Sequence, residues 1–213
     1  MPLNQLLGLT KTDSRTSIKN AADKLLCNGV ININLGFKTP LGINQHWLYF
    51  PEDSVPWYRI GFWHNIAPSL TPAGKSAIYS EFSYLPQKTS QQHLDQIIDT
   101  AQKKLLSFFG LDQQAIDTQH VFNIKHAYVI YDLWREKNIS KLLDQLKANN
   151  VHSVGRYGAW KYSSMQEAFL DGKITAEALQ YALASKRTQV FPALHGKKEK
   201  QKQEIKQPTR SLQ

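Results

Sequence analysis

The sequence predicts an α+β fold built around an antiparallel sheet, and three observations carry that expectation. Between residues 30 and 85, four short runs, the last three rich in Trp and Tyr, are separated by Pro, Gly and Asp clusters, and the first alternates apolar and polar residues cleanly. Successive strands joined by such turns pair antiparallel. Residues 90–109 carry one apolar stripe at helical spacing. In Val151–Phe169, a Gly-Arg-Tyr-Gly turn leads to Ser163 and Ser164, followed three residues later by Gln166 and Glu167, which is the capping-box signature of a helix start.

Taken in order, Leu3, Leu6 and Leu7 fit a short amphipathic turn. Ile18, Ala21, Ala22, Leu25 and Leu26 line one face of a helix that Asn28-Gly29 should stop. Val30–Phe37, His46–Pro51, Trp57–Trp63 and Ser76–Tyr84 are the four strands. Their aromatic side chains can pack a core, or on an exposed face can floor a cavity. Ser90 can cap the helix carrying Leu94, Ile97, Ile98, Ala101, Leu105 and Phe108, and Gly110 ends it. Val121–Tyr131 reads as a long strand. Ile139, Leu142, Leu143 and Leu146 mark a helix closed by Asn149-Asn150. A short strand over Val151–Val154 should follow, then helices over about Ser164–Leu170 and Thr175–Lys186. After Gly196 the chain is Lys, Gln and Glu with almost no apolar residues, a composition of disorder.

The net charge of +9 is concentrated at one end. From Lys186 onward, eight basic side chains stand against two acidic ones, so six of the nine net charges lie there. A basic tail is not the basic face of a nucleic-acid-binding module, and nucleic acid is not the expected partner. The single cysteine, Cys27, excludes an internal disulfide and a Cys-rich metal site. No run of about 18 apolar residues exists to span a bilayer, and the first ten residues lack a signal-peptide core. A soluble cytoplasmic protein is the expectation.

The sequence contains no HExxH, Gly-x-Ser-x-Gly, P-loop or Gly-x-Gly-x-x-Gly, and no histidine pair with metal-ligand spacing. His126 and His152 fall in expected strands, where histidines are usually structural. What stands out is Arg156, a fixed cation between Gly155 and Gly158, beside a helix N-terminus. Free backbone N–H groups and the helix dipole make such a place a seat for an anionic or dipolar ligand. A guanidinium there can face a phosphate or an electron-rich ring, or make a surface ion pair. The same residues also describe an ordinary packed corner, and local physics leaves both readings open.

The segment Gly155-Arg-Tyr-Gly-Ala-Trp-Lys-Tyr-Ser-Ser-Met165 resembles the C-terminal flavin motif of the FAD-dependent amine-oxidoreductase superfamily. The resemblance is to its protoporphyrinogen-oxidase-like and UDP-galactopyranose-mutase-like members. Three further stretches are similar in the same order: Pro2-Leu3 with Leu6, then Trp47-Leu-Tyr-Phe-Pro-Glu52 with Tyr58-Arg59, then Ala127-Tyr-Val-Ile-Tyr-Asp132. In the last of these, Val129 replaces the family's usual proline. The resemblance spans about residues 1–186.

This resemblance implies FAD as cofactor and an α/β architecture in an intact enzyme. Gly155, Arg156, Tyr157, Gly158, Trp160, Tyr162, Ser164 and Met165 would contact the flavin end, with Arg156 as the catalytic group. Tyr49, Arg59, Tyr128 and Tyr131 would meet a small-molecule substrate. It divides the chain into a helical junction segment (1–29), a substrate domain with the sheet (30–130), the C-terminal part of an FAD-binding domain (131–186) and a basic, disordered tail (187–213). The ADP-binding fingerprint of the family is absent from the sequence. The expectation is therefore the C-terminal portion of an oxidoreductase, inactive alone: a chain begun at an internal methionine, or a split or decayed gene. A separate N-terminal Rossmann-type polypeptide would be its partner. A non-redox flavoenzyme like the sugar mutases is an alternative, counted against by Ser163-Ser164-Met165-Gln166 where that group carries acidic residues. A non-catalytic binding remnant is the other.

Overall fold

The computed structural model describes residues 1–9 and 15–190. Within them the fold is α+β, seven helices around one five-stranded antiparallel sheet. The elements are α1 (Leu3–Leu9), α2 (Arg15–Lys24), β1 (Cys27–Phe37), β2 (Trp47–Tyr49), β3 (Arg59–Phe62), α3 (Trp63–Ile66), β4 (Ser76–Tyr84), α4 (Gln91–Phe108), β5 (Ile116–Val129), α5 (Leu133–Ala148), α6 (Gly155–Gly158) and α7 (Met165–Val190). The sheet order is β2-β3-β4-β1-β5. The first strand therefore lies inside the sheet, paired with β4 on one side (Ile31↔Phe82) and β5 on the other (Ile33↔Val121).

Period-two patterning gives this sheet two different faces. Ile31, Ile33, Leu35, Phe37, Ile60, Phe62, Ile78 and Phe82 point to one side and are buried with Leu94, Ala101 and Leu105 of α4. Ser90 caps that helix by accepting from the His93 N–H. The other face is only partly covered. A second apolar cluster joins the first two helices to a later part of the chain: Leu3, Leu7, Ala21, Ala22 and Leu25 pack with Ile139, Leu142 and Leu146 of α5 and with Trp160. Cys27 and Val129 belong to it too, so β1 and β5 run from one cluster into the other.

Several elements depart from the sequence expectation. α2 stops at Lys24, and Asn28-Gly29 lies within β1 rather than ending a helix. Gly29 suits a strand here because the Tyr84 ring fills the space of its missing Cβ, at 2.4 Å from where that atom would be. β2 and β3 are shorter than expected, and β5 starts five residues earlier, at Ile116. Val151–Val154 is not a strand, and its polar groups are used locally. The Val151 N–H donates to Leu146 O at 2.9 Å, and Ser153 Oγ donates to Gly158 O at 2.7 Å. The two expected helices after Ser164 are one, because Asp171 is engaged with Gly155 and Lys161 and Gly172 needs no turn. The tail expected over 187–213 begins inside α7, which continues to Val190; residues 191–213 lie outside the described residues. No helix among the described residues is long and apolar enough to cross a membrane.

Candidate functional site

The Gly155–Met165 segment is a tight turn held on every side. Gly155 has φ +77°, a conformation that favours glycine, and its N–H donates to Asp171 Oδ2 at 3.2 Å. The single turn of α6 closes with the Ala159 N–H on Gly155 O at 2.8 Å. Gly158 packs so close to Ser153 that an added Cβ would stand 3.1 Å from Ser153 Oγ. Trp160 follows at φ +50°, its ring fully buried edge-on to His126. Arg135 Nε donates to the Trp160 carbonyl at 2.8 Å, and the Arg135 guanidinium lies 3.9 Å from the centre of the Tyr131 ring. Tyr131 Oη in turn accepts from the Tyr162 N–H at 2.7 Å.

The capping box forms on Ser164. Its N–H donates to Glu167 Oε2 at 2.6 Å, and the Glu167 N–H donates to Ser164 Oγ at 3.2 Å. The bond from the Ser164 N–H holds the Glu167 carboxyl below the ordinary carboxylate range. Met165 and Gln166 keep N–H groups with no intrahelical partner, at the positive end of a 26-residue helix.

Arg156 joins this turn to the sheet. Its Nη2 donates to Ala127 O at 3.0 Å and its Nη1 to Ser163 O at 3.3 Å. The guanidinium carbon lies 4.9 Å from the Tyr128 ring centre and 5.0 Å from that of Tyr162, and these two rings stack at 6.2 Å and 17°. A cleft of about 200 Å³ opens here, lined by Val30, Tyr58, Glu81, Tyr128, Arg156 and Tyr157.

From the cleft the partly open face of the sheet extends across the strands. One row is Tyr49, Arg59, Glu81 and Asn32 on β2, β3, β4 and β1. Glu81 accepts four hydrogen bonds. Tyr58 Oη, Arg59 Nε and Arg59 Nη2 donate to Oε2, and Asn32 Nδ2 donates to Oε1 at 3.1 Å. Burial, and then the Glu81 carboxylate, push the Tyr58 phenol far above its ordinary value, so it stays a donor. The next row is Trp47, Gly61, Tyr79 and Asn34. The Tyr79 ring lies over Gly61, where a Cβ would come within 2.1 Å of it, and its hydroxyl accepts from Trp47 Nε1 at 2.6 Å. Trp63 sits 4.9 Å from Tyr79, ring to ring, and donates to Asn34 Oδ1 at 3.1 Å.

The residues expected at a site therefore divide by place. Arg156, Tyr157 and Tyr128 line the cleft, and Tyr162 stacks on Tyr128. Tyr131 reaches Tyr162 only through its backbone N–H. Tyr49 and Arg59 stand at the far end of the Glu81 network, with Arg59 Nη1 at 3.5 Å from Tyr49 Oη. Met165 is exposed at the start of α7, whereas Trp160 is sealed in the second cluster. Glu81, Asn32, Asn34 and Tyr79 were not singled out from the sequence, nor was Trp63 at the start of α3. The signal common to the first four is a strand position on the same side as Arg59, which only the strand order makes legible. Three buried polar atoms of the turn, Arg156 Nε, Trp160 Nε1 and Ser163 Oγ, have no hydrogen-bond partner among the described residues. All three can donate, but Trp160 Nε1 is enclosed in the apolar cluster and only Arg156 lines the cleft.

No protein-family model matches the chain. Among solved structures it aligns with a reduced UDP-galactopyranose mutase at TM-score 0.65 and 25% identity, over 76% of this chain and 36% of that one. It also aligns with a candidate protoporphyrinogen oxidase from Exiguobacterium sp. 255-15 at TM-score 0.63 and 10% identity, over 85% of this chain and 40% of that one. The chain thus spans well under half the length of either structure. Its architecture is that of a portion of the FAD-dependent amine-oxidoreductase fold.

Proposed function

We propose, from that shared architecture, that these residues supply the flavin end and the substrate face of an FAD-dependent oxidoreductase of the amine-oxidase and protoporphyrinogen-oxidase type. The observation that carries the reading is Arg156, set in the cleft against the Tyr128 and Tyr162 rings inside the very segment that resembles a flavin motif. The carbonyl and ring-nitrogen edge of a flavin is rich in acceptors and suits a guanidinium. Bound flavin supplies hydride chemistry; the protein supplies position and field. Arg156 keeps a positive charge at the ring edge and favours negative charge developing there. The N–H groups of Met165 and Gln166 face the carbonyl edge, and the stacked Tyr128 and Tyr162 wall the cleft. Trp160 acts from inside the apolar cluster, fixing the turn. A substrate lies along the sheet face, toward Arg59 and Tyr49, over the ring of Tyr79.

These residues hold no Gly-x-Gly-x-x-Gly, so in this reading the ADP half of the cofactor is held by residues other than these. Alone, these residues bind flavin weakly and do not turn over. The test is a fluorescence titration of the purified chain. Riboflavin should be quenched weakly and saturably, ADP should not compete, and Arg156→Ala should remove the response. No riboflavin response at millimolar concentration sinks the flavin contact and leaves a non-catalytic remnant. A chain that purifies yellow with stoichiometric FAD sinks the half-site.

The 25% identity to the mutase favours a second reading, non-redox sugar chemistry at a reduced flavin. Conversion of a UDP-hexopyranose by the reconstituted, reduced assembly with no net oxidation would select it; dependence of turnover on an electron acceptor would select the first.

A further inference from the structure

β5 does not run evenly against β1. Between the pairs Val30↔Ile124 and Asn28↔Tyr128 it sets three residues, Lys125, His126 and Ala127, against Gly29 alone. Such a bulge takes backbone groups out of the ladder and re-aims side chains. Lys125 O accepts from Cys27 Sγ at 3.7 Å, and Ala127 O accepts from Arg156 Nη2 and Tyr157 Oη. The residue between them, His126, is half-buried and meets two other parts of the chain. Its Nε2 stands 3.3 Å from Asn4 Nδ2 of α1. Its ring meets that of Trp160 edge-on, 6.4 Å between centres and 78° between planes.

Asn4 fixes the protonation state this corner needs. Its Oδ1 accepts from the Gln5 N–H at 2.9 Å, which turns the NH2 group toward His126. Nε2 must therefore accept, and the neutral ring carries its proton on Nδ1. A second proton goes onto Nε2 and sets two donors face to face. The charges around the ring offer no relief. Lys125 lies beside it on β5, Arg156 binds the next carbonyl, Arg135 of α5 binds the Trp160 carbonyl, and Lys161 is paired with Asp171. The Cys27 thiol on β1 is kept protonated by burial, α1 has no titratable side chain, and no carboxylate among the described residues bonds to the ring. Burial first, and then Lys125, holds the His126 pKa below its ordinary value. On the other side of the contact, Leu3 and Leu7 of α1 pack in the same cluster as Trp160.

We propose that His126 is a pH-sensitive catch between α1 and the Gly155–Met165 turn: protonation at Nε2 breaks the Asn4 contact, lifts α1 from Trp160 and loosens the turn. That the loosened segment is the one that meets flavin rests on the reading above. An opened corner takes up the proton near pH 6.5 and a closed one only at a lower value, so between the two values the opening constant rises by up to about tenfold per pH unit of acidification.

The test is amide hydrogen exchange on the purified chain at pH 7.5 and 5.5, corrected for intrinsic rates. It is read at Ala159 and Lys161, whose N–H groups close the turn on Gly155 O and Arg156 O. These amides should open at least about tenfold more often than Ile31–Leu35, and their opening constant should rise about fivefold or more at the lower pH. In Asn4→Asp a carboxylate faces the protonated ring and the rise should vanish. In His126→Gln nothing titrates, and it should vanish again. Opening that ignores pH, that matches Ile31–Leu35 at both pH values, or that rises equally in the two variants overturns the catch. No flavin is needed for this measurement. A pH-dependent turn with no riboflavin response overturns the cofactor reading and leaves the catch, while a riboflavin response with a pH-independent turn does the reverse.

Discussion

Arg156 is a tie between two segments as well as a charge. Its two donors hold Ala127 O and Ser163 O, so its removal leaves Ser163 O to find water and Ala127 O with the longer 3.4 Å bond from Tyr157 Oη. Arg156→Ala should cost about 1.5–3 kcal/mol in a urea denaturation. Arg156→Lys should cost nearly as much, since one ammonium cannot reproduce the planar pair. Its effect on flavin is therefore read at equal folded fraction. Gly61→Ala should cost about 1–3 kcal/mol, because the new methyl strikes the Tyr79 ring and breaks its bond with Trp47; Gly8→Ala, which meets nothing, is the control. His126 gives a pH dependence. Burial first, then Lys125, lowers its pKa below the 6.5 it has when unfolded. The unfolded chain thus takes up the proton first, so stability contributed by neutral His126 is present above about pH 6.5 and lost as pH falls through the lower folded value. Urea midpoints at pH 7.5 and 5.5 should differ less in His126→Gln. At this scale the sequence was legible where partners are neighbours: Ser90 and Ser164 cap the helices expected of them. Glu81 was not legible, because Arg59 and Asn32 lie 22 and 49 residues away and only strand register brings them together.

Elements with strong periodicity were read well and those decided by competition were not. β1 alternates so regularly that Val30–Phe37 was plain, yet its first three residues carried a helix-stop signal. Pairing on both sides outweighed it, since Asn28 and Gly29 can satisfy their backbone against β5 and β4. Val151–Val154 alternates too, but four residues make a weak pattern, and the end of α5 and the turn of α6 claimed their polar groups. Asp171-Gly172-Lys173 looked like a break because glycine lowers helix propensity; the anchoring of Asp171 to Gly155 and Lys161 keeps α7 whole. The capping box starts that helix with little packing to help it. Ser164→Ala should then cost about 1 kcal/mol and fray the first turn, visible as lost far-ultraviolet ellipticity and faster amide exchange at Met165–Ala168.

Across the molecule, β1 and β5 connect the sheet cluster to the helical cluster, so the two should not melt as strangers. Hydrogen exchange should be slowest at Ile31–Leu35, paired on both sides and sealed by α4. It should be orders of magnitude faster along Ala176–Ala184, where no side chain is buried. Slow exchange across that second half of α7 would mean it is covered in solution. The overall class and the sheet were legible because hydrophobic period is a local quantity. The use of α5 to unite the first two helices with Trp160 was not, because nothing local announces which apolar faces will meet. The ring of Tyr79, laid over Gly61 between Trp47 and Trp63, has an optical consequence. Two indoles stand on the open face, Trp57 and Trp160 are enclosed in the two clusters, and Trp134 is half-buried against the second, away from that face. Emission from the first pair lies to the red of the second and is open to acrylamide. A colourless compound settling on the sheet would dim or shift that red component and leave the blue one alone, so unlabelled ligands can be screened against this face by intrinsic fluorescence.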